Sequence, residues 1–338
     1  MLLLLGTAYV LLASPTPSPT ILPSPTASPP ASTPPPPPTP VVYADPLCGR
    51  PLPQPGLIRP LGVKITNEPA ARPQSGLSQA CIVYEHLTEG DVTRFFALFI
   101  TDEPLEVGPV RSARLVDLDL VAEFNAIFVH WGGGPPVMAA IQEAGFPNID
   151  GYWDSSAFQR VSRRPAPSNV YSTIPVLRQY ASQRDWNKTA EIQPLPHQDA
   201  PPQGERVTLI TIPYRSGFDV EYRYDESRRT YSRFIHDTPH KDANGEQQIE
   251  VANVVVQYVP HRETDFRDAY GAATIDIDLV GEGRAQVFRD GVLVPGRWVR
   301  PSLGEKTRFL DQAGRPIPFK PGNIWIQLVP ISMEAKTG

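Results

Sequence analysis

Three arginines, Arg94, Arg111 and Arg114, stand close together in a stretch that is otherwise apolar or small. Arg94 lies inside Thr93-Arg94-Phe95-Phe96-Ala97-Leu98-Phe99-Ile100, and the other two inside Gly108-Pro109-Val110-Arg111-Ser112-Ala113-Arg114. A guanidinium is planar, keeps its charge at ordinary pH, and grips a carboxylate or phosphate through paired bonds. Arg111 and Arg114 precede a predicted helix start, where free backbone N–H groups also favour an anion. Two guanidiniums three residues apart repel unless something negative lies between them. Arg94, Arg111, Ser112 and Arg114 are therefore the candidate ligand-binding residues, and the chemistry is anion binding. The bland alternative is that these arginines, with Arg72, Arg160, Arg163 and Arg164, pair with Glu85, Glu89, Asp91, Asp117 and Asp119 to brace loops.

Glu85, Glu89 and Asp91 flank one turn and are candidates for acid–base work or for holding a divalent cation through oxygen. His130 ends a strand before Gly132-Gly133-Gly134, where open α/β sheets place ligands. That glycine run lacks the spacing of a dinucleotide or P-loop fingerprint, so no nucleotide cofactor is implied. His236, Asp237, His240 and Asp242 offer metal-ligand types, but Pro239 forbids the helical face that would align the two histidines, and no metal is assigned. Trp298 and Trp325 with Tyr222, Tyr224 and Tyr231 suit either a core or a sugar-stacking sheet face.

The elements that must position these residues are legible in part. Leu61 to Asn67, Cys81 to Leu87 and Thr93 to Ile100 read as strands, with Glu89-Gly90-Asp91 as a tight turn and a short helix at Ser75 to Gln79. Leu115 to Phe124 reads as a helix, and Ala126 to His130 as a strand. Pro135 and Pro136 open a helix that ends before Gly145, and another runs from Thr173 to Arg184. This gives an α+β or α/β domain with a mixed sheet over residues 46–190, followed by a proline-rich linker over 191–205. Residues 206–333 read as a mostly β domain of short strands, with hairpin signals at Asn244-Gly245 and Asp290-Gly291.

The chain has 338 residues, a net charge of −5 and 41 prolines, 13 of them between Ser14 and Pro40. The acidic balance argues against a nucleic-acid partner. Residues 1–13 form an apolar segment of signal-peptide size, without a basic start and without a lipid-anchor cysteine after it. Residues 14–45 read as a disordered, extended tether. An extracytoplasmic, secreted or membrane-associated protein is expected, with a membrane tether possible through the N-terminus. Cys48 and Cys81 are either one disulfide or two buried thiols.

Longer motifs add a resemblance. Asn67-Glu68-Pro69-Ala70-Ala71-Arg72-Pro73-Gln74-Ser75-Gly76-Leu77-Ser78-Gln79-Ala80 resembles the hallmark of the bacterial YerB-like lipoprotein family, a domain of unknown function. So do Tyr84-Glu85, Glu89-Gly90 with Thr93-Arg94-Phe95, the segment from Gly108 to Arg114, and Val129-His130 with Gly132-Gly133. Pro321-Gly322-Asn323-Ile324-Trp325-Ile326 is similar to the end of the family's β-rich C-terminal domain. The resemblance implies envelope localisation and no settled activity. It departs at Cys81, where the family pattern carries an acid, and at Ser168, where it carries a histidine.

The reading that follows is an envelope protein binding an anionic, cell-wall-derived or lipid-phosphate ligand through Arg94, Arg111 and Arg114. An alternative is a metal-dependent phosphotransferase or pyrophosphatase using Glu85, Glu89 or Asp91 as ligands, by distant likeness to envelope phosphotransferases. A third is a purely structural envelope role.

Overall fold

The computed structural model describes residues 43–52, 58–100, 106–188, 192–215, 218–267 and 271–338. The signal-like segment and nearly all of the tether lie outside them. No helix among the described residues is long and apolar enough to cross a membrane.

Three strands, β1 (Leu61–Thr66), β2 (Ile82–Leu87) and β3 (Thr93–Phe99), are buried along their whole length. β3 lies between the other two and is antiparallel to both. Helix α1 (Leu115–Phe124) follows, stopped by Asn125 in the left-handed region, and returns the chain to β4 (Ile127–His130), parallel to β1. Helix α2 (Pro135–Ala144) begins on two prolines, as expected, and leads to β5 (Asn148–Asp150), parallel to β4. Helix α3 (Ile174–Gln183) is capped by the Thr173 hydroxyl.

The later half is strand-rich. β6 (Leu209–Ile212), β7 (Val220–Asp225) and β8 (Thr230–Ile235) form a meander, the core of a six-stranded sheet. β9 (Asn253–Val259) precedes a separate two-stranded arm, β10 (His261–Arg267) and β11 (Ala273–Ile277). β12 (Gly281–Arg289) and β13 (Val292–Arg300) are joined by the expected turn, with Asp290 and Gly291 both at positive φ. β14 (Arg308–Asp311) pairs with β13. β15 (Ile324–Pro330) then inserts in parallel between β9 and β2. One eleven-stranded sheet therefore runs through both the α/β and the β-rich regions.

Alternating side chains send two cores to the sheet's two faces. Val63, Ile65, Phe95 and Ala97 pack with α3 and the six-stranded sheet. Tyr84, Phe96, Leu98 and Phe128 pack with α1, α2 and the strands after β9. The segment over 192–198 joins this packing, with the Leu195 N–H donating to the Pro46 carbonyl and Phe319 donating to Pro196. Cys48 and Cys81 are joined as a buried disulfide, which resolves the choice the sequence leaves open. The expected helix at Ser75 to Gln79 is absent: Ser75 is bridged to Gly108, and Gly76 takes a φ of 96° that breaks a helical path.

Glu85 ties the two regions together. It projects from β2 toward the six-stranded sheet, where Arg233 of β8 donates to its Oε2 at 2.9 Å. Its Oε1 accepts from Thr93 at 2.7 Å and from Asn67 at 3.1 Å. Arg233 also donates to the Tyr222 hydroxyl and to His240 Nδ1, each at 2.9 Å, and the opposite ring nitrogen of His240 meets Gln74 at 2.8 Å. Glu85 and Arg233 are fully buried. Removing one partner of such a pair strands a charge, so Arg233→Ala should cost about 3–5 kcal/mol, read as a fall in the denaturant midpoint. Pairing Arg233→Met with Glu85→Gln should recover most of the loss.

Candidate functional site

The site forms where the parallel strands β1 and β4 end. Beyond β3 the chain returns across that edge, and Arg111 N–H donates to the Lys64 carbonyl at 3.0 Å. Ala113 N–H donates to Gly132 at 2.9 Å, and Trp131 N–H to Arg111 at 3.1 Å. These bonds fix the segment from Pro109 to Ala113 between the two strand ends. Both α1 and α2 begin at the same place, so two helix N-termini face one cleft.

The cleft measures about 460 Å³ and is lined by Glu89, Arg94, Arg111, Ser112, Arg114 and the first turns of α1 and α2. Its far wall is the β10–β11 arm, which contributes Phe266, Arg267, Thr274 and Ile275. The Arg94 side chain is nearly buried and donates to the Ser112 carbonyl at 2.8 Å, while its Nε has no partner. Arg111 reaches Glu68 at 2.9 Å through one terminal nitrogen, and its Nε is also buried without a partner. Arg114 clasps Glu89 through Nε at 2.9 Å and Nη2 at 2.5 Å. Four guanidiniums thus meet two carboxylates, and the cleft keeps a positive surplus. Burial, together with the charges of Arg114 and Arg111, pulls the Arg94 guanidinium down to about 9 from its ordinary 12.5. An anion in the cleft would relieve that crowding.

Beneath the arginines lies a buried group the sequence reading missed. The Lys64 ammonium donates to Asp117 Oδ1 at 2.7 Å and also contacts His86 Nε2, and all three side chains are fully buried. His86 Nδ1 meets the Leu87 carbonyl at 2.8 Å, so that nitrogen carries the proton and Nε2 accepts from Lys64. The second Asp117 oxygen accepts the Arg114 backbone N–H at 2.6 Å and holds the start of α1. Burial and the opposing pull of Asp117 leave Lys64 at about 8, still charged at pH 7. Burial pushes Asp117 up, but Lys64 and His86 overcome it and hold the carboxyl below its usual range. A lysine inside the apolar run of β1 is the one signal that could have revealed this group.

The other candidates are dispersed. Glu89 lines the cleft, whereas Glu85 is on the opposite face of the sheet and Asp91 is exposed beside a different hollow with Asn67 and Arg72. The three acids do not gather round one point. His130 is buried, stacked on Phe128, with Nδ1 3.0 Å from the Gly132 carbonyl. His240 and Asp242 serve in structure, Asp242 accepting backbone N–H groups of Gly76, Ser78 and Asn244. Trp298, Trp325, Tyr222 and Tyr231 are buried and Tyr224 packs against the core, which removes the sugar-stacking option for that set. Among the described residues, the metal-ligand types that come closest together are Asp45, Cys48 and Cys81, and the two cysteines are engaged in the disulfide.

A mixed sheet with a cationic cleft at its parallel strand ends, wrapped by a β-rich second region, defines a two-part α+β protein. The chain belongs to a family of unknown function: residues 48–187 match the "Protein of unknown function (DUF3048) N-terminal domain" and residues 210–326 its C-terminal domain. It is 33% identical over 278 residues to a protein of Bacillus subtilis (strain 168) named "Putative lipoprotein YerB", covering 80% of this chain and 81% of that one. The crystal structure of the YerB protein from Bacillus subtilis matches with a TM-score of 0.76 at 31% identity, over 87% of this chain and 99% of that one.

The buried group under the cleft gives stability a pH signature. Burial, then the Lys64 charge, lowers His86 from 6.5 to about 4. Between those values the unfolded chain binds a proton that the folded chain refuses, so stability falls as pH drops through the window, by about 3 kcal/mol at most. Asp117 continues the loss below the ordinary carboxylate range. Urea midpoints at pH 7 and pH 4.5 should show the decline, and His86→Gln should flatten it; equal slopes would remove His86 as its source.

Proposed function

We propose that the Arg94–Arg111–Arg114 cleft binds an anionic, envelope-derived ligand through a phosphate or carboxylate group, and that the protein works outside the cytoplasm. The observation that carries this reading is the pair of buried, unpartnered Nε groups on Arg94 and Arg111 in a cleft with surplus positive charge. Buried donors without partners cost free energy that an arriving anion would offset, and the crowding of Arg94 by Arg114 and Arg111 would be relieved by the same group. The location is supported by the Cys48–Cys81 disulfide, since such bonds persist in oxidising compartments, and by the lipoprotein name of the Bacillus relative.

Two substitutions of opposite sign test the binding. Arg111→Ala should weaken inorganic phosphate binding about 10- to 100-fold in calorimetry, with the circular dichroism spectrum unchanged. Glu68→Gln, which removes the carboxylate that competes for Arg111, should tighten it. Failure of the unaltered protein to bind phosphate, or indifference to both changes, would sink the reading.

A further inference from the structure

A second feature adjoins the cleft. Tyr152 and Trp153 follow β5 as consecutive residues in one turn, exposed by 68% and 84%. The turn is firmly built. Asp150 Oδ1 accepts from the N–H of Gly132 at 2.8 Å and of Tyr152 at 3.0 Å, and Trp153 N–H donates back to the Asp150 carbonyl at 2.9 Å. Asp154 is gripped by the Tyr180 hydroxyl at 2.5 Å and by Arg184 at 3.0 Å.

Glycine is required twice in this arrangement. A Cβ on Gly132, at a φ of 63°, would lie 2.2 Å from the Tyr152 ring, and one on Gly151 would lie 2.1 Å from the Trp131 ring. The rings of Tyr152 and Trp131 therefore seat on two bare backbone positions and pack against each other at 5.7 Å between centroids, while Trp153 stands beside them with its backbone held by the turn. The position matters as much as the rigidity: Tyr152 covers Gly132, and the next two residues, Gly133 and Gly134, line the arginine cleft. An exposed aromatic turn, anchored through the seated Tyr152 ring, thus begins one residue from the candidate anion site.

We propose that the ligand of the cleft is a sugar chain, its anionic group held by Arg94 and Arg111 and a neighbouring sugar ring stacked on the Tyr152–Trp153 turn; this rests on the anion-binding reading above. A pyranose presents an apolar C–H face and polar edges. An aromatic plane with a phenol or indole polar tip complements both. A bilayer would call for a wider continuous apolar face than this turn supplies: exposed Phe266 stands on the arm that lines the cleft, and Leu209, Leu303 and Ile331 belong to other elements. The platform supplies selection for sugar, and the arginines supply selection for charge.

Calorimetry with three probes separates the two readings: inorganic phosphate, neutral mannopentaose, and pentamannosyl phosphate, a five-sugar chain ending in one phosphate. The unaltered protein should bind pentamannosyl phosphate about tenfold more tightly than phosphate, and quenching of Trp153 fluorescence should accompany binding. Trp153→Ala and Tyr152→Ala, both at exposed positions, should erase that advantage while leaving phosphate affinity unchanged. If phosphate binds through Arg111 but the sugar adds nothing and Trp153→Ala changes nothing, the platform proposal falls and the anion site stands. Neutral mannopentaose bound as tightly as the phosphorylated chain would also overturn it. So would binding to phosphatidylglycerol vesicles that depends on Trp153, with no sugar preference. Absence of any phosphate binding would bring down both readings.

Discussion

A lysine buried in the middle of a sheet must find a negative partner, and the way Lys64 does so sets the geometry of the cleft. Its ammonium is neutralised by Asp117 from the first turn of α1, which draws that helix start onto the strand. Asp117 then spends its other oxygen on the backbone of Arg114, and the Lys64 carbonyl holds the backbone of Arg111. Lys64 and Asp117 thereby place two of the three cleft arginines. Neither partner is exposed, so each would be strongly unfavourable alone. The helix start is consequently fixed to the sheet by charge, in addition to the packing of Val116, Leu120 and Phe124.

The upper layer is different in character. Arg114 has a full partner in Glu89, but Arg94 and Arg111 are only partly satisfied. A protein that buries donors without acceptors on a surface cleft gives up some stability there, which is the pattern expected of a binding surface whose missing partner arrives from outside. The arm carrying Phe266 and Arg267 closes the other side, so the cleft draws residues from both family regions.

Local structure was legible wherever a local cause dictates it. The proline pair before α2, the left-handed Gly145 after it and the Asp290-Gly291 hairpin all act within a few residues, and helices α1 and α2 have the limits the pattern gives them. The arginine set could be read for the same reason, since Arg111 and Arg114 are neighbours in sequence. What could not be read depends on distant pairing. Nothing near Glu85 announces that Arg233 will neutralise it, and Asp91 sits two residues from Glu89 yet faces another hollow because Gly90 reverses the chain. The segment from Ser75 to Gln79 has helix-compatible residues, but bridges to Gly108 and to Asp242 override their preference. Nothing in the sequence marks Tyr152 and Trp153 as exposed, because two aromatics in a short segment have the same pattern as a core segment.

The insertion of β15 beside β2 bears on how such a chain can come to be folded. β2 pairs on one side with β3, close by, and on the other with a strand more than two hundred residues downstream. Until that strand arrives, Ile82, Val83 and Tyr84 form an open apolar edge, the kind that invites pairing with other molecules. The match to two consecutive family domains therefore describes inheritance and not independent folding, because a chain ending after residue 187 would lack the strand that completes its own central sheet. Long-range closure of this kind is slow. A sheet that cannot close until residues 324–330 are in hand keeps one edge of β2 unpaired until almost the whole described chain has been made.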